Sequence, residues 1–316
     1  MTSRISIIVS VAFAFAIFSA PLAVNAATLT SRQVQAIVGL LQAFGADAAT
    51  VASVEQALGA TPAPVQSATV IPAPALSTHV PPVGSVYPSS SVGFDISFNS
   101  LSYPADRFSF GIVGVSGGKA FVHNARLATE YSWTKFGSVA STVYMNLNAP
   151  YGSTVAGHTS SPTSCPASTS TEPTACEGYN YGWNAAQDAY AYAKSNGVNA
   201  LLWWLDIEEA NSWSPDTAVN DATIQGAIDY LNAKGIRTGM YSVPYMWNDI
   251  AGGSFVPTQT ISGSTVSIPS WFPIGISTLT GALNACVTKS GLFSGSPIWI
   301  IQYVANSTAV DQNVAC

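Results

Sequence analysis

The stretch Leu201–Glu209, with the sequence LLWWLDIEE, constrains the fold of this chain more than any other. Its apolar run is typical of a strand buried on both faces. It ends in three acids, although only 8% of the chain is charged. Because the side chains of a strand alternate, we expect Asp206 and Glu208 on one face, with Cβ atoms about 7 Å apart, and Glu209 on the other.

Two carboxylates at the C-terminal end of a buried strand stand where a β/α barrel places its catalytic groups. Glycoside hydrolysis needs such a pair. A general acid also needs a raised pKa, and Glu208 beside Asp206 is placed for that. The alternative is a strand end whose acids cap the next helix or are simply solvated.

Strand and helix patterns alternate over residues 92–316. Strands are predicted at 93–97, 110–116, 142–147, 201–208, 237–243 and 297–304, and helices at 125–136, 183–195 and 221–233. This alternation predicts an α/β fold with a parallel sheet, most simply a TIM-type β/α barrel. A doubly wound open sheet is the structural alternative.

The first 26 residues have the pattern of a secretory signal peptide. Arg4 is followed by an apolar run, and Val24–Ala26 offers small residues for cleavage. An uncleaved membrane anchor is the alternative, because the run approaches spanning length. The sequence therefore predicts a secreted protein, extracellular or in the cell envelope after cleavage.

Two short segments separate this signal from the main domain. Residues 28–59 have the pattern of a pair of short helices, too small to hold a core alone. We expect their apolar face to meet the barrel, another copy of the chain or the cell envelope. Residues 60–91 are rich in Pro, Ala and Ser and predict an extended linker.

The charge balance and the residue types limit the kinds of partner and cofactor that this chain can be expected to bind. Lys and Arg number 10 against 16 Asp and Glu, with no basic cluster, which argues against nucleic acid. Three scattered His and the lack of a Cys-x-x-Cys motif predict no metal site. Val115–Lys119 has glycines and a lysine without the spacing of a phosphate loop, and we expect no cofactor.

The four cysteines suit an exported protein. They allow three pairings. We favour Cys165 with Cys176 and Cys286 with Cys316, because this leaves two compact loops.

Five motifs occur in an order that resembles the family 25 glycoside hydrolases, the lysozyme-like muramidases that cut peptidoglycan. They are Gly93–Ser97, Leu205–Glu208, Gly239–Ser242, Gln302–Tyr303 and Val310–Asn313. Three further segments, Phe110–Phe121, Tyr181–Ala189 and Trp203–Ser214, resemble secreted bacterial proteins of a family-25-like kind.

The resemblance implies a barrel with irregular closing strands and a groove at its C-terminal mouth. It implies that Glu208 is the general acid, that Asp206 assists it and that Asp95 is the acid of the first strand. Four further residues are predicted to contact substrate: Asp311, Tyr241, Trp213 and Gln302. The aromatic residues Trp183, Trp213, Tyr241, Trp247 and Trp271 could face sugar rings or belong to the core.

Two departures from the muramidase pattern concern the groove. The second strand ends in Val115–Gly118 in place of a Lys-Ala-Thr-Glu-Gly-like stretch, and the connection from Asn148 to Tyr181 is long. We therefore hold two main hypotheses, with a structural envelope protein as a third possibility. The first is a secreted glycoside hydrolase acting on peptidoglycan or a similar cell-wall polysaccharide. The second is a non-catalytic carbohydrate- or wall-binding protein on a degenerate barrel.

Overall fold

The structure is a computed structural model. It describes residues 84–316 except 101–102, 105, 152–157, 168–171 and 307–309, together with Val54. The predicted signal peptide, almost all of the predicted helical pair and the linker up to residue 83 lie outside the described residues and stay predictions.

The described strands form one barrel and one hairpin. In chain order they are β1 (Val92–Ile96), β2 (Phe110–Gly114), β3 (Thr142–Asn146), β4 (Leu202–Asp206), β5 (Arg237–Tyr241), β6 (Gln259–Ile261), β7 (Ser264–Val266), β8 (Ser270–Ile276), β9 (Ile298–Val304) and β10 (Gln312–Ala315). The barrel closes in the order β1-β10-β9-β8-β5-β4-β3-β2, and β6 pairs with β7 separately. Closure confirms the predicted barrel and excludes the open doubly wound sheet.

The closing strands depart from a regular parallel barrel. Strand β10 runs antiparallel to both β1 and β9, whereas the other neighbouring strands of the barrel are parallel. The start of β10 therefore lies at the same end of the barrel as the C-terminal ends of the others. The irregular closure implied by the family resemblance is thereby confirmed.

Helices cover the outside of the barrel. They are α1 (Leu127–Thr134), α2 (Ala175–Ser195), α3 (Thr217–Ala233), α4 (Pro244–Ala251) and α5 (Leu279–Thr288). Helix α2 begins at Ala175 and not at the predicted Trp183, because Thr174 and Glu177 form a capping box there. A Cβ on Gly182 would lie 1.8 Å from the carbonyl oxygen of Thr223, so α2 and α3 approach too closely for a larger side chain.

Alternation along β4 separates two cores. Trp204 and Leu202 face the barrel interior and pack with Trp271 and Trp299, whereas Trp203 and Leu205 face the helices. Asp206 continues the inward series at the C-terminal end of the strand, as predicted. The acids at this strand end therefore stand on a floor of buried aromatic rings.

The structure differs from the sequence prediction at 84–91, which was assigned to the linker. Tyr87 is only 2% exposed. Its hydroxyl lies 2.8 Å from Oγ1 of Thr142 and accepts a hydrogen bond from Nε1 of Trp204 at 3.2 Å. This segment packs against the barrel because an aromatic side chain fills the barrel interior below Trp204.

Both predicted disulfides are confirmed. Cys165 pairs with Cys176, and Cys286 pairs with Cys316. The second bond ties α5 to the residue that follows β10. Within the part of the chain that the structure describes, no helix is both long and apolar enough to cross a membrane.

Candidate active site

A cavity of about 240 Å³ opens at the C-terminal mouth of the barrel. Four carboxyl groups, three aromatic rings and two further polar side chains line it: Asp95, Asp206, Glu208, Asp311, Tyr144, Tyr241, Trp271, Ser97 and Gln302. A larger cavity, about 660 Å³, lies between the β1–β2 connection and the end of α1. Its only acid is Asp106, so we take the smaller cavity as the candidate active site.

Strand topology brings together acids that are far apart in sequence. Asp206 ends β4 and Asp95 lies near the end of β1, so both reach the mouth from parallel strands. Asp311 precedes β10, which runs in the opposite direction and therefore starts at the mouth. The main-chain N–H of Asp95 donates to the carbonyl oxygen of Asp311 at 3.2 Å.

Two side-chain amides hold the carboxyl group of Asp95. Its Oδ2 accepts hydrogen bonds from Nε2 of Gln302 at 3.0 Å and from Nδ2 of Asn313 at 2.7 Å. The hydroxyl of Tyr241 donates to Oε1 of Gln302 at 2.9 Å, and Nε1 of Trp271 donates to Oδ1 of Asn313 at 2.8 Å. Because each amide oxygen is already engaged, each amide nitrogen faces Asp95.

A separate amide holds Asp206. Its Oδ2 accepts a hydrogen bond of 2.5 Å from Nδ2 of Asn146, at the end of β3. Its Oδ1 is buried and has no hydrogen-bond partner among the described residues. The carboxyl groups of Asp206 and Glu208 are close enough to share a proton, and their interaction raises the pKa of Asp206 and lowers that of Glu208.

The pKa values of all four cavity acids are raised above their usual values. Burial raises the pKa of Asp95 to about 8, repulsion from Asp311 adds to the rise, and the bonds from Gln302 and Asn313 oppose it. Burial also raises the pKa of Asp206 well above its usual value, followed by repulsion from Glu208 and Asp95. Desolvation is thus the dominant cause for both buried aspartates.

The two acids nearer to solvent shift in the same direction. Partial burial raises the pKa of Glu208, the charge of Asp311 adds to the rise, and the hydrogen bond with Asp206 opposes it. Asp311 is exposed at the rim, and the partial loss of hydration there raises its pKa. Glu208 therefore combines access to solvent with a carboxyl group that retains its proton more strongly than a free glutamate.

The main chain that carries Glu208 is fixed by its neighbours. The hydroxyl of Ser242 donates to the carbonyl oxygen of Ile207 at 2.8 Å, and Nε1 of Trp213 donates to the carbonyl oxygen of Glu208, also at 2.8 Å. Trp213, predicted to contact substrate, does not line the cavity. Its indole instead holds the strand end that presents the acid.

The remaining predicted site residues divide between cavity and core. Tyr241, Gln302 and Asp311 line the cavity as the motifs suggested. Trp271 is 2% exposed at its floor, in edge contact with Tyr241 at 4.7 Å between ring centroids. Trp247 is buried in the outer core, where it packs on Phe255.

Sequence reasoning missed Tyr144, Asn146, Asn313 and Ser97. Tyr144 and Asn146 lie in a strand that was predicted, and Asn313 lies in a quoted motif, but none was singled out. The available signal was a polar side chain at the end of an otherwise apolar strand, as in Asn146. Within the described residues, no group of three or more His, Cys, Asp or Glu side chains is arranged to hold a metal ion.

Residues 172–262, which include Asp206, Glu208 and Tyr241, match the family model described as Lysozyme-like protein 1. Lysozyme-like protein 5 of Caenorhabditis elegans is 41% identical over 59 residues, which are 19% of this chain and 27% of that protein. The match thus spans about a quarter of the length of that relative.

Two solved structures are similar to this one. The bacterial lysozyme from Streptomyces coelicolor has 17% sequence identity and a TM-score of 0.46, covering 72% of this chain and 92% of that chain. A family GH25 lysozyme from Aspergillus fumigatus has 14% identity and a TM-score of 0.46, covering 72% of this chain and 94% of that chain. The match to the family model confirms the predicted lysozyme-like resemblance for residues 172–262 of the chain.

Proposed function

We propose that this chain is a secreted glycoside hydrolase that cleaves a cell-wall glycan of the peptidoglycan type. The observation that carries the proposal is the pair of hydrogen-bonded carboxyl groups, Asp206 and Glu208, in an open cavity at the mouth of the barrel. Hydrolysis of a glycosidic bond needs one carboxyl group that donates a proton and one that stays ionised.

Glu208 is the proton donor in this proposal. It is half-buried, and its raised pKa keeps its proton as neutral pH is approached. Its proton passes to the glycosidic oxygen as the bond from that oxygen to the sugar breaks. The adjacent carboxylate of Asp206 stabilises the positive charge that develops on the sugar ring, and water completes the hydrolysis.

The other lining groups complete the site. Asp95 supplies a further carboxyl group, held in place by Gln302 and Asn313. Asp311 at the rim, Tyr241 and Gln302 are placed to contact hydroxyl or amide groups of a sugar, and the rings of Tyr144 and Trp271 give the cavity apolar walls. Trp213 acts indirectly, by holding the backbone of Glu208.

The choice of glycan rests on the relatives. The matching family model and the Caenorhabditis elegans relative are both described as lysozyme-like, and lysozymes cut peptidoglycan. The second-strand end at Val115–Gly118 and the connection that carries the Cys165–Cys176 disulfide differ from the muramidase pattern. We therefore propose a peptidoglycan-like substrate and expect a specificity that differs in detail.

Secretion is part of the proposal. The N-terminal pattern over residues 1–26 and the two disulfides both suit a protein that folds outside the cytosol. Residues 28–59 would then contact the cell envelope and hold the barrel near its substrate.

The test is to incubate the protein with purified peptidoglycan and with a panel of other polysaccharides, and to measure new reducing ends at several pH values. Release from peptidoglycan supports the proposal. If no glycan yields reducing ends, yet the protein binds wall sacculi and still binds after Asp206→Asn and Glu208→Gln, the non-catalytic wall-binding function replaces it. The altered end of the second strand is the observation that favours this second candidate.

A further inference from the structure

A chain of hydrogen bonds connects Ser116, two residues beyond β2, to Asp206 at the end of β4. The main-chain N–H of Asn146 donates to Oγ of Ser116 at 2.8 Å, so the hydroxyl hydrogen of Ser116 is free to donate to Oδ1 of Asn146 at 2.9 Å. With its oxygen engaged, Asn146 directs its amide nitrogen to Oδ2 of Asp206. All three side chains are buried.

This chain of bonds distinguishes the two oxygens of Asp206. A proton on Oδ2 would compete with the hydrogen bond from Asn146 for the lone pairs of that oxygen. Oδ1 is buried and has no donor among the described residues, so it is the oxygen left to share a proton with Glu208. The amide of Asn146 therefore orients Asp206 toward its acidic neighbour.

The same bond opposes the local electrostatics. Burial and the charges of Glu208 and Asp95 raise the pKa of Asp206 and so favour a proton on Asp206 itself. An N–H donor bonds more strongly to an ionised carboxylate than to a neutral carboxyl group, and so favours the ionised form. The position of the shared proton depends on which of these influences is larger.

We propose that Asn146, held in orientation by Ser116, is a positioning residue that orients Asp206 and favours its ionised form, so that the pair can present its proton on Glu208. This inference rests on the proposed glycoside hydrolase function. It also gives the altered second-strand end a role, since Ser116 lies within Val115–Gly118. The departure from the muramidase pattern then supplies a hydroxyl group to the site and is not a sign of a degenerate barrel.

The titratable groups around Asp206 lie on five strand ends. They are Glu208 beyond β4, Tyr144 on β3, Tyr241 on β5, Asp95 on β1 and Asp311 before β10. None of these groups is a cation, so no positive side chain lining the cavity holds Asp206 ionised. The amide of Asn146 is the donor that favours the ionised form of Asp206.

Three substitutions and one control separate this role from a merely structural one. Asn146→Leu removes the amide at similar volume, and Ser116→Ala removes the hydroxyl that orients it. Ser116→Thr keeps that hydroxyl. Thr142→Val is the matched control, because it removes a buried hydroxyl at the opposite end of the strand that carries Asn146.

The measurements are the pH titration of the Asp and Glu side-chain carboxyl carbons by NMR and the pH dependence of glycan cleavage. Asn146→Leu is expected to raise the pKa of Asp206 by about one unit and to move the acidic limb of the rate profile upward by a similar amount. Ser116→Ala should shift both in the same direction by less. Ser116→Thr and Thr142→Val should change neither the pKa of Asp206 nor the acidic limb of the rate profile.

The proposal is overturned if Asn146→Leu leaves the titration of Asp206 unchanged, or if Thr142→Val shifts it equally. Should Asn146→Leu fail to fold, Ser116→Ala decides in the same way. The titration does not need turnover. If the parent protein cleaves no glycan but the titration of Asp206 shifts as expected, the proposed function fails while the positioning role stands.

Discussion

Asn313 donates its side-chain amide to Oδ2 of Asp95 at 2.7 Å, although 218 positions separate the two residues. The contact exists because β10 runs antiparallel to β1 and delivers Asn313 to the mouth of the barrel. Trp271 donates to the oxygen of the same amide, and an indole N–H can only donate. The hydrogen bond from Trp271 therefore fixes the orientation of the Asn313 amide, and that amide in turn holds the carboxyl group of Asp95.

Asp95→Asn is expected to abolish or strongly reduce glycan cleavage and to stabilise the fold at alkaline pH. The pKa of Asp95 is about 8 in the folded protein, above the usual 3.8. Between these values the folded state binds more protons than the unfolded state, so the stability due to this group is present below about pH 4 and is lost as pH rises toward 8. Asparagine keeps an acceptor for Gln302 and Asn313 and cannot ionise.

Urea unfolding at pH 4 and pH 8 measures this effect. The free energy of unfolding of Asp95→Asn, relative to the parent, should rise by roughly 1–3 kcal/mol between the two pH values. Asp249→Asn is the control, since that acid is exposed on α4. If the difference in the free energy of unfolding between Asp95→Asn and the parent is the same at pH 4 and pH 8, Asp95 is not buried as a neutral carboxyl group.

Trp271→Phe tests the hydrogen bond that orients Asn313. The substitution keeps an aromatic ring but leaves a buried amide oxygen without its donor, which costs about 1–3 kcal/mol beyond the loss of packing. Turnover should also fall, because the amide is free to rotate away from Asp95. Chemical denaturation and the rate of reducing-end release measure the two effects.

Trp299→Phe is the matched control for that substitution. Trp299 is fully buried in the same interior cluster, and its indole N–H has no partner among the described residues. Its replacement should therefore cost less stability than Trp271→Phe and leave turnover largely unchanged. Equal losses of both stability and turnover in the two variants would show that packing alone, and not the bond to Asn313, explains the role of Trp271.

Opening the disulfide between Cys286 and Cys316 should affect the site as well as the stability. Replacing both with Ser is expected to cost roughly 3–4 kcal/mol, because the bond closes a loop between residues 30 positions apart. Cys316 also directly follows the strand that carries Asn313. Thermal inactivation of glycan cleavage should begin at a lower temperature. The paired substitution of Cys165 and Cys176 is the comparison, and an equal fall in that temperature would count against a specific link between β10 and the site.

The central strand and its acids were predictable because they depend on local rules. Alternation along β4 places Asp206 on the inner face, and Glu208 follows two residues beyond the strand, which ends at Asp206 and not at the predicted Glu208. The fold class was predictable because strand and helix patterns alternate regularly. The pairing of the cysteines also followed from spacing, because each bond closes a compact loop.

Elements that depend on tertiary contacts were not predictable. Strand β8 contains Pro273 and Gly275, which normally interrupt a strand, and its register with β9 shifts there. Strand β10 has only four residues. The amides of Asn146 and Asn313 gain their roles from partners far away in sequence, so a local pattern marks Asn146 only as a polar strand end and does not mark Asn313.

The central claim is that Glu208 donates the proton that breaks a glycosidic bond. The most direct measurement is the rate of reducing-end release from purified peptidoglycan by the parent protein, by Glu208→Gln and by Glu209→Gln. The neighbouring Glu209 is exposed and does not line the cavity, so its substitution controls for charge. The account predicts a loss of at least about 100-fold for Glu208→Gln and little change for Glu209→Gln. A Glu208→Gln variant as fast as the parent would contradict it.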